Sequence, residues 1–253
     1  MKLKKGVYYL GLSILVLFIS GCSSQNGDVT SSIGLRDQLL EINNQQTIGS
    51  GVQILLLLTV ISLAPALLMT ITAFTRIIIV LSFLRNAIAA PQIPPNQVLV
   101  GLALFLTFFV MTPTWNEINQ QALQPYLEGQ IDEQSAYQLA VIPIREFLFK
   151  HTREHDLALF IHLSDLPRPQ NRDDVPTYVI VPAFIISELK TAFQMGVFIF
   201  VPFLIIDMII ASTLMSMGMM MLPPTIFSLP FKLLLFVMAD GWHLLVRSLV
   251  ASF

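Results

Sequence analysis

From Thr191 to Phe231 the chain runs for 41 residues with a single charge, Asp207. As one helix that stretch would be about 60 Å long, twice the roughly 30 Å hydrocarbon thickness of a bilayer. It has to fold back. Pro223-Pro224 is the natural break, because a residue ahead of proline is pushed out of the helical region. The whole sequence obeys the same solvent: 55% of its residues are hydrophobic and 12% are charged. A soluble domain carries about a quarter charged residues. This is a membrane composition.

Three further segments share the character. Ile54–Phe74 is uncharged and contains Pro65 as an expected kink. Gln97–Pro113 ends beside Trp115, where an aromatic belt would lie. After Pro223-Pro224 the chain stays apolar to Phe253. Between the apolar halves, residues 114–178 hold ten acidic and five basic groups and read as a small helical polar insert. Tyr137, Leu139, Ile142, Ile144 and Leu148 recur at loose helical spacing within Glu133–Phe149, with Pro143 expected to interrupt them. Residues 165–176, with Pro167, Pro169 and Pro176, read as a loop.

The N-terminus reads as an address. Lys2, Lys4 and Lys5 precede an apolar run from Val7 to Ile19 and the small residues Ser20 and Gly21. These are the marks of a cleavable secretory signal over 1–21, with an uncleaved anchor as the alternative. Ile19-Ser20-Gly21-Cys22 places the lone cysteine at the acylation position of a lipobox-like exit. Cys22 is therefore a lipidation candidate, and an ordinary signal exit is the alternative. Residues 22–50 follow as a polar exported linker with little capacity to fold alone.

Arg76 and Arg85 are the only charges between Glu41 and Glu117. Positive charges mark the cytoplasmic side, so the connection holding them faces inward and residues 114–178 are periplasmic. The signal requires the same orientation. The expected fold is thus an all-α membrane protein with about four apolar helical segments in hairpins. Its divisions are a first apolar hairpin over 51–113, the insert over 114–178 and a second hairpin with a methionine-rich loop over 179–253.

Enzyme chemistry finds little support. His151, Glu154 and His155 match the H-x-x-E-H zinc-protease pattern, which on one helix would align both imidazoles. A solvated, charge-rich helix end accounts for the same residues, and no third ligand motif accompanies them. His162 is alone in an apolar stretch. There is no nucleophile elbow or glycine-rich phosphate loop, and the net charge of −2 points away from nucleic acid. No catalytic residue, metal or cofactor is expected.

Charges inside apolar sequence say more. Each costs roughly 2.5–3.5 kcal/mol on insertion scales unless paired or wetted. Glu188 and Lys232 stand one near the outer end of each arm of the long hairpin, and are expected to pair within one subunit or between neighbours. Asp207 is an embedded polar site, expected at a subunit interface or a watery lumen. Arg247 and Lys190 suit snorkelling at helix ends. Finally, Met215, Met217, Met219, Met220 and Met221 place five of the eleven methionines within seven residues, ahead of Pro223-Pro224. Gly218 makes a regular helix doubtful there. Methionine is unbranched and adaptable, suited to a surface that seals and re-packs, although helix-end filler would look similar.

Several long strings resemble one family in order. TRIIIVLSFLRNAIAAPQIPPNQ at 75–97, PAFIISELKTAFQMGVFIFVPFLIIDMIIAS at 182–212, MSMGMMMLPP at 215–224 and SLPFKLLLFVMADGWHLL at 228–245 are similar to the signatures of the FliP family of flagellar biosynthetic proteins. TREHDLALF at 152–160 is family-like as well, but its histidines and the lipobox are not part of the family pattern. The resemblance runs from about residue 50 to the end. It implies a subunit of the type III export gate in the flagellar basal body of the bacterial inner membrane. It further implies a ring of several copies with two small membrane partners, FliQ-like and FliR-like, that passes unfolded export substrates. Kinked hairpins would lie in a conical assembly, with apolar surface buried against subunits as well as lipid, and the five methionines would form a pore gasket. Runner-up readings are the equivalent virulence-type secretion subunit and a small-molecule channel or transporter.

Overall fold

The computed structural model describes residues 45–90, 92–164, 169–219 and 223–253, all helix, turn or coil. The leader, Cys22 and the linker as far as residue 44 lie outside the described residues. The chain divides into two compact units, Met1–Val60 and Ile61–Phe253. In the first, the described residues belong to α1 (Gln45–Ile71), whose large side chains from Ile54 to Val60 are exposed. This helix begins inside the segment read as linker, since a nucleated helix extends upstream at little cost per residue.

The second unit is built on two helices that the sequence pairs across more than a hundred residues. The short α2 (Phe74–Ala87) buries Phe74, Arg76, Ile77, Val80, Leu81, Leu84 and Ala87, a three-and-four spacing that points one broad stripe inward. The 40-residue α7 (Thr177–Ser216) answers with Val179, Ile180, Ala183, Phe184, Ser187, Glu188, Ala192 and Gly196. At Gly196 a Cβ would lie 2.6 Å from the Phe83 ring, so the missing side chain is what lets that ring seat against α7. Each large aliphatic residue buried here contributes about 1.5–3 kcal/mol.

Around this pair, α3 (Asn96–Ile118) packs on α2 and continues through one π turn (Asn119–Leu123) into α4 (Gln124–Leu127). The span thus runs past Pro113 into the polar insert. Helices α5 (Glu133–His151) and α6 (Glu154–Leu163) both lie on α7. Pro143 does not interrupt α5: it is buried within an unbroken helix, where packing offsets the lost backbone hydrogen bond. The described part of the loop before α7 is closed by Asp174, which accepts from the N–H groups of Gln170 and Asn171. Arg145 ties that loop to α5 by donating to the carbonyls of Val175 and Arg172.

Helix α8 (Pro224–Met238) returns along α7 after the Pro223-Pro224 break, and α9 (Gly241–Ala251) follows at a 65° bend. Asp240 occupies the bend in the left-handed region, φ 49°. By length and composition Ile54–Ile71, Asn96–Leu127 and Thr177–Ser216 are able to cross a membrane, and α8 with α9 supplies a fourth span if counted together.

Candidate functional site: buried charge pairs and a methionine-bearing hairpin

Three polar nodes hold the apolar helices together. In the first, Arg76 of α2 grips Glu188 of α7 with two parallel bonds, Nε to Oε2 at 2.8 Å and Nη2 to Oε1 at 2.5 Å. Its Nη1 donates to the carbonyl and hydroxyl oxygens of Ser252, and its guanidinium lies 3.9 Å from the Phe253 ring centroid. Arg76 and Glu188 are both buried. The planar fork of arginine suits this arrangement, because it meets the carboxylate and still has donors for Ser252.

The second node joins α7 and α8. Lys232 donates from Nζ to Asp207 Oδ2 at 2.6 Å, and Ser228 donates to Asp207 Oδ1 at 2.5 Å. Lys232 also donates to the carbonyl of Ala87, at the end of α2. That carbonyl has no helical donor available, since the residue four places on is Pro91.

The third node seats the polar insert. Asp156 of α6 is fully buried and accepts from Ser187 at 2.9 Å and from Lys190, both on α7. Ser187 in turn accepts the Arg153 N–H, and the Arg153 guanidinium reaches Thr191 and Gln194. Burial alone would raise the Asp156 carboxyl. Hydrogen bonds from Lys190 and Ser187 and the Lys190 charge outweigh it and hold the group below its ordinary 3.8.

Within the chain the pairing expected between Glu188 and Lys232 is not made. Glu188 lies 28 residues before the end of α7, whereas Lys232 lies only eight beyond the start of α8. Equal distances from the break are what let the two legs face each other. Asp207, nine residues before Ser216, is therefore the residue opposite Lys232. Lys190 does not snorkel: it is taken by Asp156. Arg76, counted from sequence as a charge marking the cytoplasmic side, is spent on a buried pair.

The zinc-type pattern is also broken by the fold. His151 closes α5, Thr152 and Arg153 are extended, and Glu154 opens α6, so the two imidazoles sit on different helices. His155 is exposed. His151 packs between the Phe147 and Phe253 rings, where burial and then the Arg76 and Lys150 charges push its pKa down to about 4. Among the described residues no three His, Cys, Asp or Glu side chains gather closely enough to hold a metal ion.

At the far tip of α7 the helix stops by a defined device. Gly218 takes φ 77° and donates to Met215 O, while Met219 N–H reaches back to Leu214 O. This six-to-one and five-to-two pair is the Schellman ending, and glycine is the residue that adopts its left-handed position without strain. Met215, Met217 and Met219 are 59%, 69% and 40% exposed. Met220 and Met221 lie outside the described residues.

Long apolar helices crosslinked by buried charge pairs define an all-α membrane protein, with three exposed methionines carried at one hairpin tip. The FliP family matches over residues 57–249, and the chain belongs to that family. It is 58% identical to the flagellar biosynthetic protein FliP of Bacillus subtilis (strain 168), over 83% of this chain and 96% of the relative. Against the protein of the same name from Pectobacterium carotovorum subsp. carotovorum it is 54% identical, over 83% and 82%. Against that of Treponema pallidum (strain Nichols) it is 50% identical, over 84% and 79%.

Sequence reading missed Arg76 as a partner for Glu188, and it assigned no role to Asp156, Ser187 or Ser228. Arg76 carried a usable signal, as one of two charges in a long apolar stretch. Asp156 carried a weaker one, its place in the family-like string at 152–160, without any hint of its partner.

Proposed function

We propose that this chain is a subunit of the flagellar type III protein export gate in the bacterial inner membrane. Copies assemble as a ring with FliQ-like and FliR-like membrane subunits, and unfolded flagellar proteins pass through the pore they form. The chain does no covalent chemistry. Residues 114–178 face the periplasm, an orientation supported by the leader and by Arg85.

In this reading Met215, Met217, Met219, Met220 and Met221 form the gasket. The observation that carries it is the exposure of Met215, Met217 and Met219 at a glycine-terminated helix end, where core filler would be covered. A ring of thioethers closes on itself, excludes water and ions by dewetting, and deforms around an extended chain as it passes.

The test is a deletion strain complemented with the wild-type chain or with Met215, Met217 and Met219 replaced by serine. Complementation restores motility and flagellin export. The triple replacement raises ion leakage through the assembled complex while the complex is still recovered. Normal export in the deletion strain would overturn the export reading, and unchanged conductance in the triple replacement would overturn the gasket.

A further inference from the structure

Asp207, Ser228 and Lys232 are polar residues in the mainly apolar stretch on either side of the Pro223-Pro224 break. Their geometry is complete: each Asp207 oxygen has a donor, and Lys232 has a second acceptor in Ala87 O. Ser228 and Lys232 are buried, at 0% and 2% exposure. The node therefore joins three helices, the two legs of the hairpin and the end of α2.

Its place along the hairpin matters. Asp207 precedes the end of α7 by nine residues and Ser228 follows the start of α8 by four, so the node sits about 13 Å and 6 Å from the tip along the two legs. Towards the tip, from residue 208 to 227, none of the described residues is fully buried. Met208, Ile209, Met215, Met217, Ile226 and Phe227 are all exposed. The node is the last buried polar contact before the methionine loop.

We infer that Asp207, Ser228 and Lys232 are positioning residues for that loop, pinning both legs to α2 so that the methionines project from a fixed neck. The inference rests on the gasket reading for its consequence, and on the hairpin geometry for the pin itself. Without the pin the legs splay and the closed loop is no longer held in one place.

The experiment uses the full chain in its assembled complex and, separately, the purified full chain in detergent. In the complex, potassium leak is read for Asp207→Asn and Lys232→Gln. Each change raises leak about tenfold, the equilibrium shift expected from a lost charge-assisted bond. In the purified chain, amide hydrogen exchange over 213–219 and 224–228 quickens about tenfold in Asp207→Asn, while exchange in α2 and in α7 before Ala192 is unchanged.

Unaltered exchange at the loop in the purified chain overturns the pin, as does unaltered leak in a recovered Asp207→Asn complex when the triple serine replacement does leak. The exchange readout decides even where the variant complex fails to form. The gasket fails separately: serine at Met215, Met217 and Met219 would then leave leak unchanged while Asp207→Asn still quickens exchange.

Discussion

Arg76 and Glu188 stand 112 residues apart in sequence and meet through two hydrogen bonds with both side chains buried. Arg76→Ala strands a buried carboxylate and should cost about 3–5 kcal/mol, whereas replacing both partners by apolar residues of similar volume should recover most of that loss. Arg76→Lys should not rescue, because an ammonium cannot fork onto Glu188 and also reach Ser252. Denaturation of the full chain in detergent measures all three. Equal stability of Arg76→Ala and the wild type would show the pair to be idle.

Asp156 predicts a local effect. Asp156→Ala leaves Lys190 and Ser187 without their acceptor, and the insert helix α6 should open more often from α7. Limited proteolysis should then cleave near Thr152 and Arg153 several-fold faster, with the contacts of α2 on α7 retained. Cleavage at the wild-type rate would place the hold of α6 elsewhere.

His151 sets a pH window. Its pKa falls from 6.5 to about 4 on folding, through burial first and then the Arg76 and Lys150 charges. The folded state thus binds fewer protons than the unfolded one between these values, so stability is full above pH 6.5 and declines as pH falls towards 4. His151→Phe should flatten that part of the profile. The Asp156 contribution lies lower: its folded pKa is depressed, so it is lost only as pH falls below 3.8. Thermal unfolding between pH 7 and 4.5 separates the two, and a His151→Phe profile as steep as the wild type would remove His151 as the cause.

Gly218 predicts a substitution order. Its φ of 77° is strained for a side chain, so Gly218→Val should destabilise the helix end by about 1–2 kcal/mol, with Gly218→Asn tolerated best. Hydrogen exchange at Met215 to Met219 reports it directly. Equal protection in all three chains would mean that the helix end does not depend on the left-handed turn.

Much of the fold is readable from residues. The apolar runs place α1, α3 and α7, and the Pro223-Pro224 break gives the hairpin. Gly218 marks the helix end within the methionine cluster. The burial of α2 was not legible, because a fourteen-residue apolar helix carrying two arginines reads equally well as a surface connection. The charge partners were not legible either. Sequence shows that embedded charges need partners; it does not give the register that brings two legs of different length together.

The sequence by itself determined a membrane solvent, a helical answer to it, a proline break and a soft methionine tip, because each follows from hydrocarbon thickness, backbone satisfaction or local φ preference. Which charges meet was decided only by tertiary structure. Arg76 finds Glu188, Lys232 finds Asp207, and Lys190 finds Asp156, because helix packing sets axial offsets that no local rule encodes. A buried ion pair forms only where two independently placed helices bring opposite charges within a hydrogen bond of each other.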